Sequence, residues 1–392
     1  MYASTPMRRT TAIRPAGPRT LAGSMLRLLA LALVLLAVTA APAAGAERRV
    51  PQGWLGVTVD GPVGPADDAE WDLMAGAGVE TVRVAFRWHQ LQPEPQLLDL
   101  SSTDAVVAAA ARRGIVVQPV VEQPPSWVST RPGDTSSPPR DPAAVSAFLA
   151  TLVGRYGPAG TFWQENPQLP RLPIRAWQIW NEPNHIGVWS QQPYPRPYVR
   201  TLRAAAAGVR QADPGATVVL AGLVNRSWLA LRALYRAGAH GLFDAVAIHP
   251  YTLKPKNVVR LVQLSRREMR RRGDGKLPIW VTELSWPAAK TRSAKGKVGR
   301  RFGFEVTPAG QALRLGKALR LLSEARKRLR IGFVSWYTWI SSETGPSSFD
   351  WAGLRRMIDG RAVSTHTMTV YRRWARRLEG CRKAGADARR CA

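Results

Sequence analysis

Two apolar runs in this chain end on a glutamate. Trp177-Gln178-Ile179-Trp180 leads into Asn181-Glu182 and is stopped by Pro183, which brings no backbone donor to a sheet. Ile279-Trp280-Val281-Thr282 leads into Glu283. A pair of carboxyl groups facing one cleft suits cleavage of a glycosidic bond. One protonates the leaving oxygen, and the other either attacks the anomeric carbon, at about 5–5.5 Å separation, or activates a water at a larger one. The residues alone leave both geometries open. An Asn-Glu-Pro tripeptide by itself equally starts a turn or a helix. Its weight comes from the Trp-rich strand before it and from His249-Pro250-Tyr251 and Glu283 after it.

Such residues need a scaffold that brings distant segments to one mouth. Short β-branched or apolar runs alternate with Ala/Leu/Arg stretches of helical period, the pattern of repeated βα units. The strand candidates are Trp54–Val59, Thr81–Phe86, Ile115–Val121, Ile174–Trp180, Thr217–Ala221, Ala245–Ile248, Ile279–Glu283 and Ile331–Tyr337. Helical stretches follow at Ala66–Ala77, Thr103–Arg113, Pro142–Tyr156, Tyr198–Ala212, Ser227–Ala237, Asn257–Arg271, Pro308–Arg328 and Val363–Arg377. Eight strand-then-helix units without an intervening linker predict an α/β chain folded as one (β/α)₈ TIM barrel over residues 51–378. Glu182 and Glu283 then end strands four and seven, at the face where barrel chemistry sits. Arg131–Arg140 and Phe162–Arg171 are expected to be loops near that face.

Composition narrows the class. With 392 residues, 45% of them hydrophobic, the chain can bury a large core. Fifteen Trp suit either core packing or stacking against sugar faces. The five His are scattered and no Cys/His spacing suggests a metal, so neither a structural metal nor a cofactor is expected. Cys381 and Cys391 are the only cysteines, placed to staple a C-terminal tail over 379–392. The N-terminus, residues 1–46, runs from Arg8, Arg9, Arg14 and Arg19 through the uncharged Leu28–Ala40 to Ala44-Gly45-Ala46, in the order of a secretory signal peptide. An uncleaved membrane anchor fits the same stretch, and both readings make the domain exported and extracellular. The formal charge of +29, with basic clusters at Arg266–Arg272, Lys290–Arg301, Arg326–Arg330 and Arg372–Arg377 that read as helix faces and a loop, favours anionic partners, such as an acidic polysaccharide, or reflects a solvated Arg-rich surface. Nucleic acid is not expected, because no recognition motif accompanies the charge. A monomer is expected.

The quoted motifs resemble the clan of retaining glycosidases that includes the family 5 cellulases and mannanases and the family 39 xylosidases and iduronidases, over roughly Trp54 to Arg377. The resemblance implies a carbohydrate substrate, with Asn181-Glu182 supplying the acid/base and Glu283 the nucleophile. It also matches Arg83 to the clan's strand-two Arg, His249-Pro250-Tyr251 to the strand-six His-x-Tyr, and Trp336 to the strand-eight Trp that floors a subsite. Phe349–Leu354 resembles the loop after strand eight. Where family 5 members carry His after strand three, this chain reads Val121-Glu122-Gln123-Pro124, which favours a family 39-like or unclassified branch. Arg83 and Tyr251 would keep Glu283 ionised. Asn181 would bond the sugar 2-hydroxyl. Glu122 reads equally as a substrate contact or a loop cap; Trp339 competes with Trp336 for the subsite, either of which could instead pack the barrel, while Trp88, Trp127 and Trp286 are weaker aromatic candidates. Two function classes follow: a retaining hydrolase of β-O-glycosidic bonds, or a non-catalytic or transglycosylating envelope polysaccharide-binding protein on the same barrel.

Overall fold

The eight strand candidates all form, and they close on themselves. In the computed structural model, which describes residues 48–60, 64, 67–290 and 302–379, the strands are β1 (Leu55–Val59), β2 (Thr81–Arg87), β3 (Val116–Glu122), β4 (Ala176–Asn181), β5 (Thr217–Val224), β6 (Ala245–His249), β7 (Ile279–Leu284) and β8 (Ile331–Tyr337). Each pairs in parallel with the next, and β1 pairs with β8 to complete the barrel. The proposed leader, Cys381 and Cys391, and most of the basic loop after Lys290 lie outside the described residues. No helix among the described residues is long and apolar enough to cross a membrane.

Strands buried on both faces need no alternation, which is why these runs are so uniformly apolar. The larger surrounding helices are α1 (Asp68–Gly76), α3 (Ser101–Ala111), α4 (Pro142–Tyr156), α6 (Pro195–Ala212), α7 (Ser227–Arg236), α8 (Pro255–Arg271), α9 (Pro308–Leu329) and α10 (His366–Glu379). Two short helices, α2 (Trp88–Leu91) and α5 (Thr161–Glu165), fall among them. Four helices begin on proline, whose missing N–H is one that a first turn leaves unpaired in any case. Asp141 and Thr307 cap α4 and α9 by accepting from Ala143 N and Gly310 N.

Side chains fill the barrel in layers. Val219, Ala245, Ala247 and Ala176 are small enough to admit the Trp280 ring, which meets Phe333 edge-on. Above this floor the interior turns polar. The Thr58 and Ser335 hydroxyls lie 3.0 Å apart, and Arg83 on β2 reaches Gln178 on β4, a contact that only the barrel interior allows.

Three expectations need correction. Phe162–Arg171 joins α4 to β4, so it lies at the strands' N-terminal end, opposite the mouth, and part of it is the helix α5. Arg131–Arg140 does follow a strand, β3, and stands on the mouth side. The last helix begins at His366 rather than Val363, because β9 (Ile340–Ser341), β10 (Arg355–Ile358) and β11 (Arg361–Ser364) form an added three-stranded sheet after β8. Its hairpin turns on Asp359-Gly360, both with positive φ (48° and 75°), the conformation a two-residue turn between twisted strands demands. Third, Arg266 in the basic run on α8 is not a surface charge. It is buried and donates to the carbonyls of Leu329, Gly275 and Leu277.

Candidate active site

At the C-terminal mouth a buried arginine ties three strands together. Arg83, 4% exposed, donates from Nη1 to Glu283 Oε1 at 2.8 Å, from Nη2 to Asn181 Oδ1 at 2.7 Å, and from Nε to Gln178 Oε1 at 3.3 Å. Its planar fork thereby fixes the ends of β4 and β7 relative to β2. The other oxygen of Glu283 accepts from the Tyr251 hydroxyl at 2.8 Å. Burial works to raise the Glu283 pKa, but the charges of His249 and Arg83 and the Tyr251 and Arg83 hydrogen bonds outweigh it. The carboxylate is therefore held below its ordinary value.

His249 stands between the two carboxyl groups. Its Nδ1 is 2.6 Å from Glu182 Oε1 and 3.5 Å from Glu283 Oε2, and its Nε2 is 3.1 Å from Thr282 Oγ1. Contact-forming atoms of Glu182, His249 and Glu283 all lie within 4.8 Å of one another. Thr282 and Glu283 are consecutive yet both reach this site, because the β7–β8 ladder shifts register between Val281 and Leu284. Such a break in alternation re-aims a side chain where function needs it.

Glu182 is presented by a strained turn. Trp180 and Glu182 have φ of 70° and 40°, a left-handed region costly for side chains of this size. The turn is held by Glu182 N donating to Gly222 O at 3.0 Å, by the Asn184 side chain bonding both N and O of Val224, and by Trp180 Nε1 donating to Val188 O. Gly222 is also where the His249 ring needs room, since a Cβ there would lie 2.1 Å from Nε2. We expect Gly222→Ala to displace His249 and destabilise the fold by about 1–3 kcal/mol, as overpacking does. A thermal unfolding curve coinciding with wild type would contradict this.

Arg83, Asn181, Glu182, His249, Tyr251 and Glu283 are thus brought together. Trp336 is not. Strand alternation turns Ser335 and Tyr337 inward, so Trp336 points to the helices, where it packs against Trp286 and donates to Ala352 O at 3.1 Å. With 2% exposure it has no face to offer a sugar. The strand-eight aromatic at the mouth is Tyr337, whose hydroxyl donates to Asp60 Oδ2 at 2.8 Å. Burial first, then the negative charges of Asp60 and Glu283, push the Tyr337 hydroxyl well above its ordinary pKa, so it stays a donor. Phe349 packs edge-on against Tyr251 and Tyr337, which places the Phe349–Leu354 segment beside the site. Trp88, Trp286 and Trp339 are buried, and Trp339 Nε1 is committed to Glu70.

Beside Arg83 and Glu283 opens a cavity of ≈ 290 Å³, lined also by Asp60, Arg87, Glu122 and Asn181. Burial pushes the Glu122 carboxyl up to about 7 against the pull of Arg83 and Arg87. A carboxylate closing a barrel strand was the sequence signal for this residue, the same one that marked Glu182 and Glu283.

Several solved structures share this architecture. A family 39 glycoside hydrolase from Bacteroides cellulosilyticus WH2 matches with a TM-score of 0.60 at 18% identity, over 83% of this chain and 64% of that one. The chain has the (β/α)₈ barrel fold of these glycoside hydrolases. A monomeric β-xylosidase from Caulobacter crescentus CB15 matches with a TM-score of 0.58 at 19% identity, over 84% of this chain and 69% of the other. A GH53 catalytic domain from Ignisphaera aggregans matches with a TM-score of 0.54 at 18% identity, over 83% and 98%. The chain therefore spans slightly under two thirds of the family 39 enzyme's length. No protein-family model and no curated protein matches the sequence.

Proposed function

We propose that the chain is a retaining glycoside hydrolase cleaving β-O-glycosidic bonds of a poly- or oligosaccharide by double displacement. One observation carries the reading. One oxygen of Glu182 and one of Glu283 lie within 4.8 Å of each other across the mouth, a close approach that favours the roughly 5–5.5 Å carboxyl separation of retaining enzymes over the roughly 6.5–9.5 Å of inverting ones. The glycosidase neighbours, xylosidase and galactanase among them, support the same class.

In this mechanism Glu283 attacks the anomeric carbon while Glu182 gives its proton to the departing oxygen. A glycosyl ester forms on Glu283, and the aglycone leaves as an alcohol. Esterification removes the negative charge that Arg83 and Tyr251 had stabilised. Glu182, now ionised, takes a proton from water as the water attacks the ester and restores Glu283. His249, 2.6 Å from Glu182, orients the acid/base through both steps. Asn181 has its oxygen engaged by Arg83, so its Nδ2 is the group left to donate to the sugar 2-hydroxyl. Transglycosylation is the same second step with a sugar hydroxyl in place of water.

Because Glu283 must be ionised to attack, the acid limb of kcat/KM should lie below the ordinary glutamate value of about 4.3. Tyr251→Phe removes a donor to the carboxylate, so that limb should move to higher pH, with kcat/KM lowered about tenfold on the plateau. An unmoved limb in this variant would remove Tyr251 from the nucleophile's support. For the reaction class as a whole, proton NMR of the first product formed from an aryl β-glycoside should show the β-anomer before mutarotation. An α-anomer would overturn retention.

Export, by a cleaved signal or an N-terminal anchor, and a monomeric state belong to the same proposal. An anionic polysaccharide would meet the outer helices, where Arg267, Arg270 and Arg271 on α8 and Lys327 and Arg328 on α9 are exposed.

A further inference from the structure

The cavity beside the two glutamates is lined differently from the rest of the protein's surface. The chain is strongly basic overall, yet three carboxyl groups, Asp60, Glu122 and Glu283, face two arginines there. Three of the five N–H donors of Arg83 already serve Glu283, Asn181 and Gln178, one from each nitrogen. Glu283 accepts from Arg83 on one oxygen and from Tyr251 on the other. Asp60 accepts one hydrogen bond, from Tyr337, and faces Arg87 only across 3.7 Å.

Glu122 is the exception. It ends β3 opposite Arg87, and its carboxyl accepts no hydrogen bond from any described residue, although it is half-buried against the cavity. A carboxyl that faces a confined cavity without a protein donor has water as its partner there, and a ligand that displaces the water must fill its lone pairs. Hydroxyl groups of a bound ligand would do so, and Arg87 and the free oxygen of Asp60 complete a donor and acceptor set around them.

Resting on the glycosidase reading, we infer that Glu122 grips hydroxyls of a neutral glycone in this cavity and discriminates against uronates. A sugar carboxylate placed here would meet Glu122 and Asp60 at close range, while of the two arginines Arg83 is already paired with Glu283 and Arg87 faces Asp60. Asp60, and Glu122 in its ionised form, repel such a charge in so confined a space. The positive charge of the protein therefore bears on a polymer outside the cavity, not on the sugar residue being transferred.

The test uses the full chain and 4-nitrophenyl β-glycosides of xylose, glucose, galactose, mannose and glucuronic acid, with calorimetric titration of the five free sugars alongside. Wild type should favour its best neutral glycoside over the glucuronide by about tenfold or more in kcat/KM. Glu122→Gln, nearly isosteric, should lower the neutral value by about tenfold or more while moving the glucuronide little, so that the ratio collapses. A purely structural role would lower both together. If the Gln variant melts early, Glu122→Asp, which keeps the charge but withdraws it by one methylene, should show the same loss of ratio. A wild-type preference for the glucuronide, or a ratio unchanged in folded variants, overturns the inference. Neutral-sugar binding that is lost in Glu122→Gln, with no turnover of any glycoside, would leave the subsite standing and sink the hydrolase reading. Absence of both binding and turnover for every neutral sugar would overturn the subsite.

Discussion

Glu283→Ala should lower kcat/KM for aryl β-glycosides by roughly 10⁴-fold or more, because it removes the nucleophile of the proposed double displacement. The structure adds a second expectation. Removal of the carboxylate leaves Arg83 Nη1 and the Tyr251 hydroxyl without the acceptors they now hold at 2.8 Å. These two donors frame a small anion site in the space the side chain vacates. Added formate or azide should therefore restore turnover, by about 10²-fold. The azide product should carry inverted configuration, since the anion attacks the face that Glu283 occupied. The same loss leaves a buried guanidinium short of an acceptor, so the variant should also unfold at a lower temperature, by an amount corresponding to a few kcal/mol, about 3. Full activity in a folded variant would remove Glu283 from the chemistry.

The second large effect concerns the leaving group. Glu182→Gln should slow hydrolysis of glycosides with poorly acidic aglycones by about 10³-fold. Dinitrophenyl glycosides, whose leaving group needs no proton, should still form the glycosyl-enzyme at a near-normal rate. Their hydrolysis should then stall, because the base for the second step is absent. A fast burst followed by slow turnover, with a lowered KM, is the expected record. The Gln side chain keeps one oxygen or nitrogen near His249 Nδ1, so the ring should stay in place between β6 and β7. Equal slowing of good and poor leaving groups would assign Glu182 a structural role instead.

These effects rest on an arrangement that was only partly legible in the residues. The barrel was readable because strands buried on both sides leave unbroken apolar runs, and because Pro142 and Pro308 mark two helix starts; Pro195 and Pro255 start two more, which the sequence reading began late, at Tyr198 and Asn257. A polar residue closing such a run, as Asn181 and His249 do and Glu283 nearly does, must end up near the mouth of a parallel barrel. What the runs do not carry is the phase of the strand. Trp336 and Tyr337 are adjacent, and a one-residue difference sends one ring to the helices and the other to the site. The inward Ser335 and its partner Thr58 set that phase, through a contact between residues 277 positions apart.

Local breaks were hidden for a related reason. The register shift that lets Thr282 and Glu283 share one side depends on what β8 offers across the ladder, not on the β7 sequence. The extra hairpin, by contrast, did carry a local signal: Asp359-Gly360 between short runs fits a two-residue turn, in a stretch assigned to no element before the helix placed from Val363. Glu122 was visible as a strand-end carboxylate. Only the folded structure reveals that nothing in the described protein satisfies it.

The central claim is that Glu283 becomes covalently bound to sugar. Incubation with a 2-deoxy-2-fluoro β-glycoside bearing a dinitrophenyl leaving group should inactivate the enzyme in step with one equivalent of phenol released. Mass spectrometry of the digested protein should then place the fluorosugar on the peptide containing Glu283. Labelling of any other residue, or steady turnover of the reagent without a trapped adduct, would contradict it.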